Sequence, residues 1–145
     1  MNNMLKFKNK EHLEFFNNCL AYPGIPNDSY YKALFYTLGL TNETRKNINS
    51  LFDFERRTID FNGFKKGWQT GTSKKVTRLA FNLFNGSVCD SDEDFENNKV
   101  SPYYAVDEIF CCGLAPYFYQ AIKLRYPEYC SEETHPERAL PLDPS

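Results

Sequence analysis

The stretch from Gly67 to Ser73, with the helix it launches, constrains the fold of this chain more than any other feature. It holds the only tryptophan, Trp68, two of the seven glycines, and a run of hydroxyl side chains able to cap a helix. From Lys74 to Asn85, Val76, Leu79, Ala80 and Leu83 recur at i, i+3, i+4 and i+7, one apolar stripe at helical spacing. Lys74, Lys75, Arg78, Asn82 and Asn85 fall largely on the other side. Thr72 or Ser73 is the expected cap, because a hydroxyl there can accept a backbone N–H of the first turn. Gly86 follows the last periodic residue and suits a left-handed stop. The two glycines are expected to turn the backbone tightly, with Trp68 tucked into the core between them.

A helix start of this kind attracts anions through its free N–H groups and its dipole, and Lys74, Lys75 and Arg78 add charge. The spacing G-x-x-x-G-T-S-K is not a P-loop, which needs four residues between the glycines and then Lys-Ser/Thr. A looser contact with a nucleic-acid or protein-borne phosphate stays open.

Capping and stop residues divide the rest of the chain into further helices. Asn9 caps a first one with Glu11 in its first turn and Leu13, Phe16 and Leu20 as its stripe. Tyr22-Pro23-Gly24-Ile25-Pro26 ends it. Asn27 or Asp28 caps the second, which carries Tyr31, Leu34, Phe35 and Leu38 and stops at Gly39. Thr41 or Asn42 starts a third, with Thr44, Ile48, Leu51 and Phe52 facing inward. Its short junction with the second resembles a helix-turn-helix, which would expose Glu43, Arg45, Lys46 and Asn49 to a DNA groove. Thr58 to Phe61 alternates like a strand, and Asn62-Gly63 signals a turn. Ser101-Pro102 begins a short helix carrying Val106, Ile109 and Phe110. The last helix, Tyr117 to Tyr126, is apolar nearly all round and is expected to be central, ending at Pro127. These elements predict a mainly α, compact single-domain bundle of about five to six helices over residues 1–130. A small β-hairpin is allowed around 56–66, and a flexible, proline-rich C-terminal tail is expected over 131–145.

Charge is divided unevenly. Residues 1–86 carry thirteen Lys/Arg against seven Asp/Glu, and residues 87–145 carry four against twelve, so two oppositely charged faces could each steer a partner. The sharpest acidic run holds Asp90, Asp92, Glu93, Asp94 and Glu96. Its D-x-D-x-D start is that of a calcium loop, but Phe95 stands where glycine is required and Ser101 where the bidentate glutamate belongs. Asp53, Glu55 and Asp60 lie among arginines and are expected to pair with them. The five cysteines form no C-x-x-C, and His12 and His135 lie near opposite ends, so no metal and no cofactor are expected. No apolar run reaches the roughly 18 residues of a membrane span, and Met1 to Lys10 lacks a signal-peptide core, which makes the cytosol of the producing cell the expected location. Reduced, mostly buried thiols fit that location.

Several blocks are similar to a known family: Lys6 to His12, Tyr31 to Phe54, Gly67-Trp68-Gln69-Thr70-Gly71, Arg78 to Gly86, and Ala115-Pro116-Tyr117-Phe118-Tyr119 through Cys130. They resemble small Firmicutes proteins grouped only as a domain of unknown function, whose members often lie on phages and integrative elements. The resemblance covers roughly residues 5–130. It implies a compact domain from a mobile element and supplies no catalytic residues.

Three functions follow as expectations. The first is a non-enzymatic interaction protein that inhibits a host defence nuclease complex, in the manner of an anti-CRISPR. Its acids 90–96 would be laid into a basic groove of a host protein or ribonucleoprotein, with exposed aromatics as anchors. The second is a nucleic-acid binder of helix-turn-helix type using Arg45, Lys46, Lys74, Lys75 and Arg78, with steep salt dependence. The third, an enzyme, is disfavoured, because no nucleophile–base arrangement, ligand cluster or nucleotide fingerprint is legible.

Overall fold

The computed structural model describes residues 5–130; the expected tail, 131–145, lies outside them. Short polar side chains set the helix starts. Asn9 opens α1 (Lys10–Leu20) by accepting the His12 N–H at 2.8 Å, and Asp28 opens α2 (Ser29–Leu38) by accepting from Tyr31. Thr41 caps α3 (Asn42–Lys46). The later helices are α4 (Gly71–Asn85), α5 (Asp92–Glu96), α6 (Val106–Phe110), α7 (Ala115–Arg125) and α8 (Pro127–Cys130). Strands β1 (Phe52–Asp53) and β2 (Thr58–Ile59) pair antiparallel, Phe52 opposite Ile59. The class is mainly α, as expected. Four helices of ten residues or more, α1, α2, α4 and α7, carry the bundle, and the other four have only four or five residues each.

The centre of the bundle is α2. Every residue from Ala33 to Leu38 is fully buried, and the helix packs against α4, α7 and α1. The unbroken run Ala33-Leu34-Phe35-Tyr36-Thr37-Leu38 is what a helix enclosed on all sides requires, and Thr37 satisfies its hydroxyl on the Ala33 carbonyl at 2.7 Å. The central role expected of the last helix is therefore corrected. Phe118 and Ala121 of α7 are buried, but Tyr119 is exposed. The helix stops at Arg125, before Pro127, as expected, and Pro127 then opens the short α8.

The tryptophan turn works differently from expectation. Thr70, not Thr72 or Ser73, is the cap, and α4 starts at Gly71. The Thr70 hydroxyl accepts the Ser73 N–H at 3.0 Å while the Ser73 hydroxyl accepts the Thr70 N–H at 2.7 Å, a reciprocal capping box. Gly67 lies in a tight turn closed by the Gln69 N–H on the Lys66 carbonyl at 3.2 Å, as expected, whereas Gly71 begins α4. Neither adopts positive φ, and a Cβ at either would meet nothing within 4 Å, so neither turn nor helix start requires glycine. Trp68 is half-buried at the core's edge, its indole N–H without a partner among the described residues. Gln69 does the joining: its amide donates to the Gly63 carbonyl at 3.2 Å and its oxygen accepts from Ser73. Gly86 at the far end is left-handed, φ 79°, as its position suggests. Replacing Thr70 by alanine is expected to cost about 1 kcal/mol, lowering the melting temperature by about 2–4 °C. An unchanged melting curve would contradict the capping role.

Four further readings change. The third helix stops at Lys46, because the Asn47 side chain turns back onto the Glu43 carbonyl and Ile48–Ser50 continues as a 3-10 turn. Thr44, Leu51 and Phe52 still face inward. The hairpin closes over residues 54–57, with Arg57 at φ 58°, while Asn62-Gly63 lies in a 3-10 turn over Phe61–Lys65. Gly63 is required there, since a Cβ would lie 2.6 Å from the Ser50 carbonyl oxygen and strike Leu51. On α1 the buried face is His12, Phe16 and Cys19, and Leu13 is exposed. Asp53 and Asp60 cap local backbone N–H groups instead of pairing with arginines, and Glu55 accepts from Tyr22.

Candidate functional site

The acidic run is built into the fold at one end and free at the other. Ser91 accepts the Asp94 N–H at 3.1 Å and starts α5, so the stretch is a helical turn rather than a loose loop. Its ends are drawn together: Ser101 N–H donates to the Val88 carbonyl at 2.8 Å, and Lys99 N–H to that of Asp94 at 2.9 Å. Asp90 turns inward. Its carboxylate takes two nitrogens of Arg78, the shorter contact being 2.8 Å, and the Tyr104 hydroxyl at 2.8 Å. Asp92, Glu93 and Glu96 remain exposed and Asp94 half-buried.

This places one member of each candidate charge set on the other. Arg78, read from the sequence as part of a free basic face, is only 13% exposed and is spent on Asp90. Its guanidinium lies 4.9 Å from the Tyr103 ring centre and 5.6 Å from that of Phe64. Tyr104 donates also to the Cys89 carbonyl at 2.7 Å. Burial, and then the neighbouring Asp90 charge, push its hydroxyl well above the ordinary phenol range, so it stays a donor. Lys75 reaches the Glu108 carbonyl, and Arg45 donates to the Gly39 carbonyl at 2.7 Å. Lys46 is exposed and Lys74 half-buried. The five basic candidates therefore do not form one free face, and α3, at five residues, spans about 7.5 Å.

The outer side of the same segment carries four apolar side chains that the sequence reading did not join into one surface. Phe95, Val100, Tyr103 and Val106 are 53%, 70%, 54% and 73% exposed, which puts four of the nine exposed large apolar side chains of the described residues within twelve positions. Residues 90–108 hold seven acids and one base, Lys99. The signal was only partial: Phe95 and Val100 stand without helical period in or beside the acidic run, whereas Val106 shares helical spacing with Ile109 and Phe110, a pattern that predicts burial. Phe95 leans on Phe61 at 6.2 Å between ring centres, so it is held while it projects. Beside it runs a groove of about 270 Å³ lined by Gly86, Ser87, Val88, Cys89, Phe95, Asn98, Lys99 and Val100. A second cleft, about 290 Å³, lies over Tyr22, Phe54, Asp53, Glu55 and Asp60, whose carboxylates are engaged in the local hydrogen bonds described above.

Among the described residues no three His, Cys, Asp or Glu side chains are placed to hold a metal, and no helix is long and apolar enough to cross a membrane. All five cysteines are free thiols: Cys19 and Cys89 are buried, Cys111 is exposed, and Cys112 and Cys130 are intermediate. Burial pushes the Cys19 thiol up to about 12, which leaves it inert.

The molecule is thus a helical domain with an acidic, aromatic-studded segment clamped across its longest helix. A family model described as "Family of unknown function (DUF6075)" matches residues 1–138, and the chain belongs to that family. No curated protein and no solved structure matches it.

Proposed function

We propose that this chain is a non-enzymatic interaction protein of a phage or mobile element, which inhibits a host defence nuclease complex by a protein–protein contact through residues 90–108. The observation that carries the reading is the pairing of exposed Phe95, Val100, Tyr103 and Val106 with exposed Asp92, Glu93 and Glu96 on one clamped segment. Isolated apolar side chains on a surface are ordinary; a run of them interleaved with one sign of charge marks a contact surface. The partner's surface is basic, and the acids raise its association rate in a salt-dependent way. It is a host protein or ribonucleoprotein met in the cytoplasm. The nucleic-acid-binding alternative has less support, because Arg45, Lys75 and Arg78 are engaged within the chain.

The test is affinity capture from host lysate with the wild type and with D92N/E93Q/E96Q, all three positions exposed. A stoichiometric protein partner retained by the wild type and lost from the variant is expected. Equal retention would overturn the acidic contact. A salt-sensitive gel shift of nucleic acid by the isolated chain, abolished by K46Q/K74Q, would favour the alternative instead.

A further inference from the structure

We infer that the groove between the chain leaving α4 and the α5 excursion is the receptor for a partner's anchor: one large apolar side chain on a protein segment flanked by lysine or arginine. This rests on the interaction reading above and specifies its partner. The groove, about 270 Å³, has room for one large side chain. One wall is Gly86 to Cys89, the other Phe95 with Asn98 to Val100. Both walls are fixed before any partner arrives. The Ser101–Val88 hydrogen bond closes the excursion at its base, Asn98 holds a left-handed conformation at φ 56°, and Phe61 backs the Phe95 ring. A preformed groove loses little freedom on binding.

Charge selects the occupant. Lys99 is the one charged side chain in the groove's own lining, and the net charge beside it is set by Asp92, Glu93 and Glu96, exposed on the adjoining helix α5. That balance repels a polyphosphate chain and an anionic membrane. A second copy bound symmetrically would set the acidic α5 of one chain against that of the other. A basic segment with an apolar anchor satisfies both the groove and the acidic helix beside it.

The test uses the full chain, isotope-labelled for NMR, and three synthetic nine-residue peptides. The first has a central leucine flanked by alternating lysine and arginine, the second a central alanine in the same flanks, the third the leucine flanked by glutamate. The first is expected to give saturable shifts centred on the amides of Val88, Cys89, Phe95, Asn98 and Val100. The alanine peptide should bind about tenfold or more weakly, as burying a leucine side chain implies, and the glutamate peptide should not bind. Val100→Asp, at a position 70% exposed, should abolish the shifts with the fold intact. Equal binding of the leucine and alanine peptides, or shifts outside the groove, would overturn the inference. So would shifts at the same amides that grow with protein concentration alone, which would make a second copy the occupant. Should the peptides miss the groove while D92N/E93Q/E96Q still loses the captured partner, the anchor site falls and the interaction reading stands.

Discussion

Replacing Asp90 by alanine is expected to destabilise the protein by about 3 kcal/mol, on the order of 10 °C in melting temperature. The size follows from what is left behind. Arg78 is 13% exposed and would keep its charge between Phe64 and Tyr103 with its carboxylate gone. Removing one partner of such a pair costs more than the pair contributes, because an unsatisfied charge remains out of water. The Tyr104 hydroxyl would keep only the Cys89 carbonyl. Local consequences follow as well. Asp90 precedes the Ser91 cap, so backbone amides of 91–101 should exchange faster with solvent in the variant. Combining D90A with R78L should recover part of the loss, since neither charge is then stranded. Strict additivity of the two single effects, or a loss under about 0.5 kcal/mol for D90A, would show that the clamp is an ordinary surface ion pair.

Acidification from pH 6.5 to pH 4 should remove up to about 3 kcal/mol through His12 alone. The ring is fully buried on α1, 4.5 Å from Tyr36 and 5.0 Å from Phe7 between ring centres. Its Nδ1 accepts the Lys8 N–H at 3.0 Å, so Nε2 carries the proton and donates to the Tyr36 carbonyl at 2.7 Å. A second proton would have to replace the lone pair that receives Lys8. Burial lowers the pKa from 6.5 to about 4; the Tyr36 carbonyl opposes this, and Arg45 and Lys8 reinforce it. The folded pKa lies below the unfolded one, so the unfolded chain binds the proton first as pH falls. The stabilisation is complete above pH 6.5, declines through the interval and is gone below pH 4. His12→Gln cannot titrate there. The difference between the two urea-unfolding profiles should therefore narrow by about 3 kcal/mol on acidification; parallel profiles would contradict a neutral, locked imidazole.

The helical class was legible because caps and stops are local signals. Asn9, Asp28, Thr41 and Gly86 stand where the structure uses them. The cap of α4 was misplaced by two or three positions, because Thr70 is completed by a serine at the third helical residue, where a glutamate or glutamine is the usual signature. The short third helix was over-extended for a different reason. Its apolar residues continue at helical spacing, but Leu51 and Phe52 are taken by the turn and the β-ribbon, a tertiary competition that spacing does not report. His12, which the sequence reading mentioned only in setting a metal site aside, is a satisfied core residue. The centrality of α2 was readable in its run Ala33 to Leu38, apolar on every side of the helix but for Thr37, whose hydroxyl bonds back to the Ala33 carbonyl.

The candidate surface was half legible. Its acids were visible as a run, but the pairing of Asp90 with Arg78 joins residues twelve apart across a helix end, and no local pattern marks which carboxylate will turn inward. The two charge blocks of the sequence are therefore joined at this clamp.

The most direct measurement is hydrogen exchange of the captured complex compared with the free chain. If residues 88–108 are the working surface, their amides gain protection in the complex, while those of 42–46 and 71–78 are unchanged. Protection gained over 42–46 and the start of α4, with 88–108 exchanging as in the free chain, would contradict the account.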